Sequence, residues 1–315
     1  MEPKADATPL DESPRSAPST PPGRSVSVPV ALLQAMRPKQ WTKNLFVGAP
    51  VLFGKSLGDT ERLERAAAAV AIFCVISSAV YLWNDLLDVD KDRAHPRKRF
   101  RPIAAGTLPM GVARAASGVL AVLGLGLAVA LSPAFGGTVA LYLLLNAAYT
   151  LRLKHVPYLD VLIIASGFLL RVIGGGAATG VHLSRWLLLC TGLLASFNGF
   201  GKRAHELATS GSGTRKALAG YHPERLRWLL YATGAATVFA YLLYTLSPHT
   251  REYFHTDNMV WTVPSVAIGV GRFLQLVSGR PTAESPTQEM LRDALFVGNV
   301  VVWVGAVVAI IYTAL

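Results

Sequence analysis

Charge is scarce in this chain: 16% of its 315 residues are Asp, Glu, Lys or Arg, where a soluble globular domain carries about 25%. With 52% hydrophobic residues and a mean hydropathy of +0.40, that shortage excludes a chain covered by water alone. Cysteine is nearly missing. Cys74 and Cys190 both lie inside apolar runs, so there is no Cys-rich metal site and no reason to expect a disulfide. Acid is short relative to base, 19 residues against 30, for a net charge of +11. The excess does not point to nucleic acid, because the basic residues gather in short segments between apolar runs rather than along one helix face. Residues 1–30 lack an apolar stretch long enough to span a bilayer or to form the core of a signal peptide. Rich in Pro, Ser, Thr and Ala, they are expected to be a disordered cytoplasmic tail ahead of one transmembrane domain over 31–315.

What the chain has in abundance is long apolar runs. About nine of them approach the ~20 residues needed to cross the hydrocarbon: 41–57, 65–86, 109–131, 134–150, 158–179, 184–200, 226–247, 258–278 and 294–315. The expected class is therefore all-α, a polytopic bundle in the plasma or inner membrane. Cytoplasmic loops hold most Lys and Arg near span ends. On that rule the inner loops are those with Lys91 to Arg101, Arg152 and Lys154, Lys202 to Arg227 (Arg215 and Lys216 included), and Arg280 and Arg292. The N-terminus and the polar clusters then face the cytoplasm and the C-terminus lies outside. A homo-oligomer is left open.

The strongest chemical signal closes the second run: Asn84, Asp85, Asp88, Asp90, Lys91 and Asp92. On a helix of 3.6 residues per turn, positions 84, 88 and 92 share one slowly drifting face with Asp85 beside them. Carboxylates so placed repel one another unless a cation offsets them, and hard oxygen ligands suit a partly hydrated Mg²⁺. The plainer alternative is a solvated acidic helix end balanced by the bases that follow. Those bases, Arg97, Lys98, Arg99 and Arg101, suit a substrate with several phosphates; they also suit anionic lipid headgroups. For Arg101 the substrate role is favoured. A second cluster holds Tyr149, Arg152, Lys154 and His155, with Asp160 after it; Asp160 can pair with a cation or assist the metal, but an acid in a helix first turn is the slightly better explanation. A third runs Asn198, Gly201, Lys202, Arg203, His205, Glu206. Arg171 and Arg272 lie within apolar runs, where each needs an acidic or carbonyl partner.

These residues resemble the UbiA superfamily of membrane prenyltransferases. Asn84-Asp85-x-x-Asp88-x-x-x-Asp92 fits the first Asp-rich motif of that superfamily, and Arg101-Pro102-Ile-Ala-Ala-Gly106 fits the segment after it. The resemblance implies an all-helical bundle of about nine spans with the active site on cytoplasmic loops. The second motif departs: where prenyltransferases carry Asp-x-x-x-Asp, this chain has Gly201-Lys202-Arg203-Ala-His205-Glu206. That variant, with Arg37-Pro38-Lys39-Gln40-Trp41-Thr42-Lys43-Asn44 and Leu153-Lys154-His155, resembles the decaprenyl-phosphate phosphoribosyltransferase branch.

The resemblance implies a Mg²⁺-dependent transfer from phosphoribosyl pyrophosphate to a polyprenyl phosphate in membrane lipid, supplying a precursor of cell-wall arabinan. Asn84, Asp85, Asp88 and Asp92 would hold the metal. Lys202, Arg203 and Lys154 would meet phosphate oxygens, and Glu206 the metal or a ribose hydroxyl. Lys91, Arg101, Tyr149, Asp160 and His205 complete the expected substrate contacts. An isoprenyl diphosphate donor with an aromatic or lipid acceptor is the rival enzyme. A transporter or channel is the rival class, with Gly174-Gly175-Gly176 read as a broken helix; against it, the acids sit at one membrane face. Asp88→Asn or Asp92→Asn is expected to abolish transfer while the protein stays folded and inserted, and near-normal rates for both at limiting Mg²⁺ would refute the metal assignment.

Overall fold

A computed structural model describes residues 27–210, 220–278 and 286–313. The tail expected over 1–30 falls outside the described residues except for 27–30, where α1 (Val28–Ala35) already begins; Arg215, Lys216 and Arg280 also fall outside. Among the described residues every regular element is helical. A 3-10 helix, Pro38–Gly48, and α2 (Ala49–Phe53) follow α1. Next come α3 (Thr60–Leu87), α4 (Val89–Ala94), α5 (Met110–Leu131), α6 (Pro133–Leu151) and α7 (Leu159–Thr179). After them stand α8 (Arg185–Ser210), α9 (Pro223–Leu246), α10 (Pro248–Phe254), α11 (Val263–Ser278), α12 (Pro286–Arg292) and α13 (Ala294–Thr313).

Among the described residues seven segments are long and apolar enough to cross a membrane: α3, α5, α6, α7, α9, the stretch Asn258–Ser278 that ends in α11, and α13. Their bounds follow the hydropathy of the sequence closely. Local chemistry sets the ends: the Asp59 carboxylate accepts from the Arg62 amide at 3.1 Å to start α3, Ser132 and Pro133 open α6, and Gly180, at φ 70°, stops α7. This is a multi-pass membrane protein. Its outward faces are apolar, as Val119, Val122, Leu144, Val301 and Val302 show.

The first expected span is not one α-helix. Pro38 and Pro50 withhold backbone donors, and the chain instead runs 11 residues of 3-10 helix into the five of α2. Three residues per turn gives it strict faces: Lys39, Thr42 and Leu45 are exposed, whereas Asn44 and Val47 are buried. Trp41 donates to Ser78 and Asn44 to Ser77, each at 3.1 Å, while Arg37 reaches Asp85. The segment therefore runs antiparallel along α3. At about 2.0 Å rise for the 3-10 turns and about 1.5 Å for the α turns it covers roughly 30 Å, the hydrocarbon thickness.

Gly175 lets α7 press on this segment, since a Cβ there would stand 1.9 Å from the Val47 carbonyl oxygen. Gly174 likewise faces Phe73 and Phe135, so the triple glycine is a packing surface inside an unbroken helix. The two intrabundle arginines are satisfied differently. Arg272 makes a two-pronged pair with Asp293, at 2.6 and 3.1 Å. Among the described residues Arg171 has only neutral acceptors, the Asn44 amide oxygen at 2.9 Å, the Gly167 carbonyl at 2.8 Å and the Tyr142 hydroxyl at 3.0 Å. Gly175→Ala should lower the thermal unfolding temperature in detergent by an amount equivalent to about 1–3 kcal/mol of overpacking, whereas Gly126→Ala, with nothing within 4 Å, should leave it unchanged or raise it.

Candidate active site

The acidic run does not continue as one helix face. α3 ends at Leu87, and Asp88 adopts φ −99°, ψ 11° before α4 turns away. Four acids fall within eight residues, and each buried one meets a cation. Asp85, 3% exposed, takes Arg37 at 2.5 Å and Arg101 at 3.1 Å on its Oδ1. Arg101 reaches on to Asp92 at 2.7 Å. Asp88 receives Lys154 on both oxygens, at 2.8 and 3.0 Å, with Lys91 at 3.7 Å. Asn84 accepts from Thr150. Asp90 points to solvent and pairs with Arg93. Asp85 and Asp92 are buried in this lattice, Asp88 is partly exposed and Asp90 lies in solvent.

Deeper between α6, α7 and α8 lies a second lattice. Arg203 is fully buried, with Asp160 at 2.6 Å from its Nε, Glu206 beside one terminal nitrogen and the Tyr149 hydroxyl at 3.2 Å from the other. Tyr221 donates to Asp160 at 2.5 Å and accepts from the Tyr158 amide. Burial, then the bond to Asp160, raises the Tyr221 pKa well above the usual phenol range, so the hydroxyl stays a donor. Arg203, expected at a phosphate, already has its charge met by Asp160 and Glu206. His205 is buried on the next part of α8 and Lys202 is half-buried.

The sequence-predicted residues with printed partners fall into these two lattices, drawn from the ends of α3 and α6, the start of α7 and the last turns of α8, where Lys202 and His205 flank Arg203 in sequence. Arg37 and Thr150 join them, and sequence reasoning did not select either. Arg37 stood in the sequence only as the head of the run Arg37-Pro38-Lys39-Gln40-Trp41-Thr42-Lys43-Asn44, without an assigned contact; Thr150 carried no signal.

No three carboxylates, histidines or cysteines converge as a ready-made metal cage among the described residues. The donor chemistry nevertheless fits a hard cation. Asp85 Oδ2 is buried with no hydrogen-bond partner among the described residues, and Mg²⁺ commonly takes one or two carboxylates and fills its shell with water and substrate phosphate. Removing a partner from the buried Arg203 lattice strands a charge, so Asp160→Ala should cost about 3–5 kcal/mol of stability. Lys154→Ala, at the ligand end, should lose activity with a smaller change in unfolding temperature; the opposite ranking by thermal melts would reverse the two assignments.

A sequence profile of the UbiA prenyltransferase family matches residues 47–279. The chain is 35% identical to a decaprenyl-phosphate phosphoribosyltransferase of Corynebacterium glutamicum over 292 residues, 89% of this chain and 86% of that protein. It is 35% identical to the protein of that name from Mycolicibacterium smegmatis over 320 aligned positions, 98% and 99% of the two chains. The fold is also similar to a UbiA homolog from Archaeoglobus fulgidus bound to GPP and Mg²⁺, with TM-score 0.70 and 19% identity over 89% of this chain and 99% of that one. With the family profile covering most of the chain and the helical bundle matching in space, the chain belongs to the UbiA prenyltransferase family.

Proposed function

We propose that this protein transfers a 5-phosphoribosyl group from phosphoribosyl pyrophosphate to a polyprenyl phosphate, decaprenyl phosphate for choice, and releases pyrophosphate, with Mg²⁺ as the metal. One observation carries the reading: near full-length identity of 35% to relatives that bear the name of that activity. The cation-rich sequence Gly201-Lys202-Arg203-Ala-His205-Glu206 supports it, because it stands where a prenyltransferase would supply more carboxylates.

The lattice explains how a polyanion is taken up. Asp85, Asp88 and Asp92 face Arg37, Arg101 and Lys154, three negative charges against three positive ones, and the exposed Lys91 adds a fourth cation at 3.7 Å from Asp88. Bound Mg²⁺ would be held by Asp85, Asp88 and Asp92 with Asn84, and would neutralise charge building on the departing pyrophosphate. Arg37, Arg101 and Lys154 then stand where they can donate to phosphate oxygens, stabilising the same charge as the ribose C1–O bond breaks. The acceptor phosphate is already an anion, and no strong general base is required. Its lipid tail lies among the apolar outer faces of the helices. The basic residues at this end, Lys91, Arg97, Lys98, Arg99 and Arg152 among them, favour its facing the cytoplasm.

Purified protein in liposomes with Mg²⁺ and labelled donor provides the test. Labelled lipid and pyrophosphate should form from phosphoribosyl pyrophosphate plus decaprenyl phosphate, and not from geranyl diphosphate plus an aromatic acceptor. Turnover of the second pair alone would overturn the proposal in favour of an ordinary prenyltransferase.

A further inference from the structure

One charged side chain near the site has no part in the lattices above. Lys43 lies in the 3-10 helix Pro38–Gly48, where residues three apart stand in line. Between the exposed row of Lys39, Thr42 and Leu45 and the inward row of Trp41, Asn44 and Val47 runs a third, half-buried row of Gln40, Lys43 and Phe46. Arg37 heads that row at the acidic end, and Phe46 closes it against Phe168 of α7, ring centroids 5.2 Å apart. Lys43 makes no hydrogen bond or ion pair among the described residues, and the charges that act on it are those of Arg171 and Arg37, both positive.

Its depth makes this unusual. The neighbouring Asn44 bonds Ser77, which precedes Asp85 by eight residues on α3, or about 12 Å of helix. Arg171, also bound to Asn44, is 5% exposed and stacks on Tyr142 and Phe168 without a carboxylate partner among the described residues. Neutral dipoles orient Arg171 but leave its charge uncancelled. Two uncompensated cations at that depth are costly to hold, and such residues mark the paths of charged ligands.

We infer that Lys43 is a second anion subsite, separate from the carboxylate end, that binds a phosphomonoester group, with Arg171 deepening the positive field behind it and Arg37 linking it to the acidic end. Two cations match the two negative charges of a phosphomonoester. Both substrates of the proposed reaction carry one, the lipid acceptor and the 5-position of the donor; the choice between these sources rests on that reading, but the anion chemistry does not.

The experiment needs no turnover. Full-length protein in detergent is titrated calorimetrically with ribose 5-phosphate and, separately, with decyl phosphate, in wild type, Lys43→Gln, Lys43→Met and Lys43→Arg. One ligand should bind wild type and lose at least tenfold affinity in the Gln and Met variants, with Lys43→Arg within about threefold of wild type. The ligand that weakens identifies the source. Thermal unfolding of the Gln and Met variants should match or exceed wild type, because an uncompensated cation is removed; a lysine that merely supports the fold would give lower values. Unchanged affinity for both ligands, no binding by wild type, or unfolding of both neutral variants overturns the subsite. Failure of wild type to turn over phosphoribosyl pyrophosphate would count against the proposed function alone, because these titrations would still decide the role of Lys43.

Discussion

Charge parity at the end of α3 is the constraint on which the rest depends. Asp85 and Asp92 are each about 3% exposed, a burial that ionised carboxylates tolerate only with close partners. Arg101 answers both at once, Arg37 comes from the head of the 3-10 helix, and Lys154 arrives from the short turn after α6. Three separate parts of the chain are tied to one helix end by this single requirement. The bundle must therefore bring α3, α6 and the first membrane segment together at one face, which is where the site lies.

On the proposed function, the same parity bears on which ligands the site admits. A metal cation alone would add positive charge to a balanced lattice, and a polyanion alone would add negative charge. Entering together, a Mg²⁺ and a pyrophosphate group each give the displaced partners of the other something to hold. The second lattice sets the single guanidinium of Arg203 against the carboxylates of Asp160 and Glu206, with Tyr221 donating to Asp160, and its central side chain is sealed. It braces α7 against α8 beneath the ligand end. The cations Lys43 and Arg171 stand apart from both lattices.

Much of this was legible in the sequence. Hydropathy runs located the long helices to within a few residues for most spans, because burial in lipid demands continuous apolar faces. The spacing of Asn84, Asp85, Asp88 and Asp92 singled out the site, since acids beside an apolar run have few other reasons to be there. Three features were not legible. The first segment reads as an ordinary span, but Pro38 and Pro50 tighten it into 3-10 turns. The acids read as one helical face, whereas α3 ends at Leu87 and α4 begins at Val89, with Asp88 between them at φ −99°, ψ 11°. Arg203 and Asp160 are both visible in the sequence, but not that they meet, because they lie on different helices, α8 and α7. Long-range pairing of charges is what a linear pattern does not encode.

Manganese binding read by electron paramagnetic resonance tests the parity argument most directly, with the purified chain titrated in the presence and absence of pyrophosphate. The account predicts weak or undetectable Mn²⁺ binding without pyrophosphate and a bound-metal signal that grows with it, lost in Asp88→Asn. Tight Mn²⁺ binding that is indifferent to pyrophosphate, or no bound metal under either condition, would contradict it.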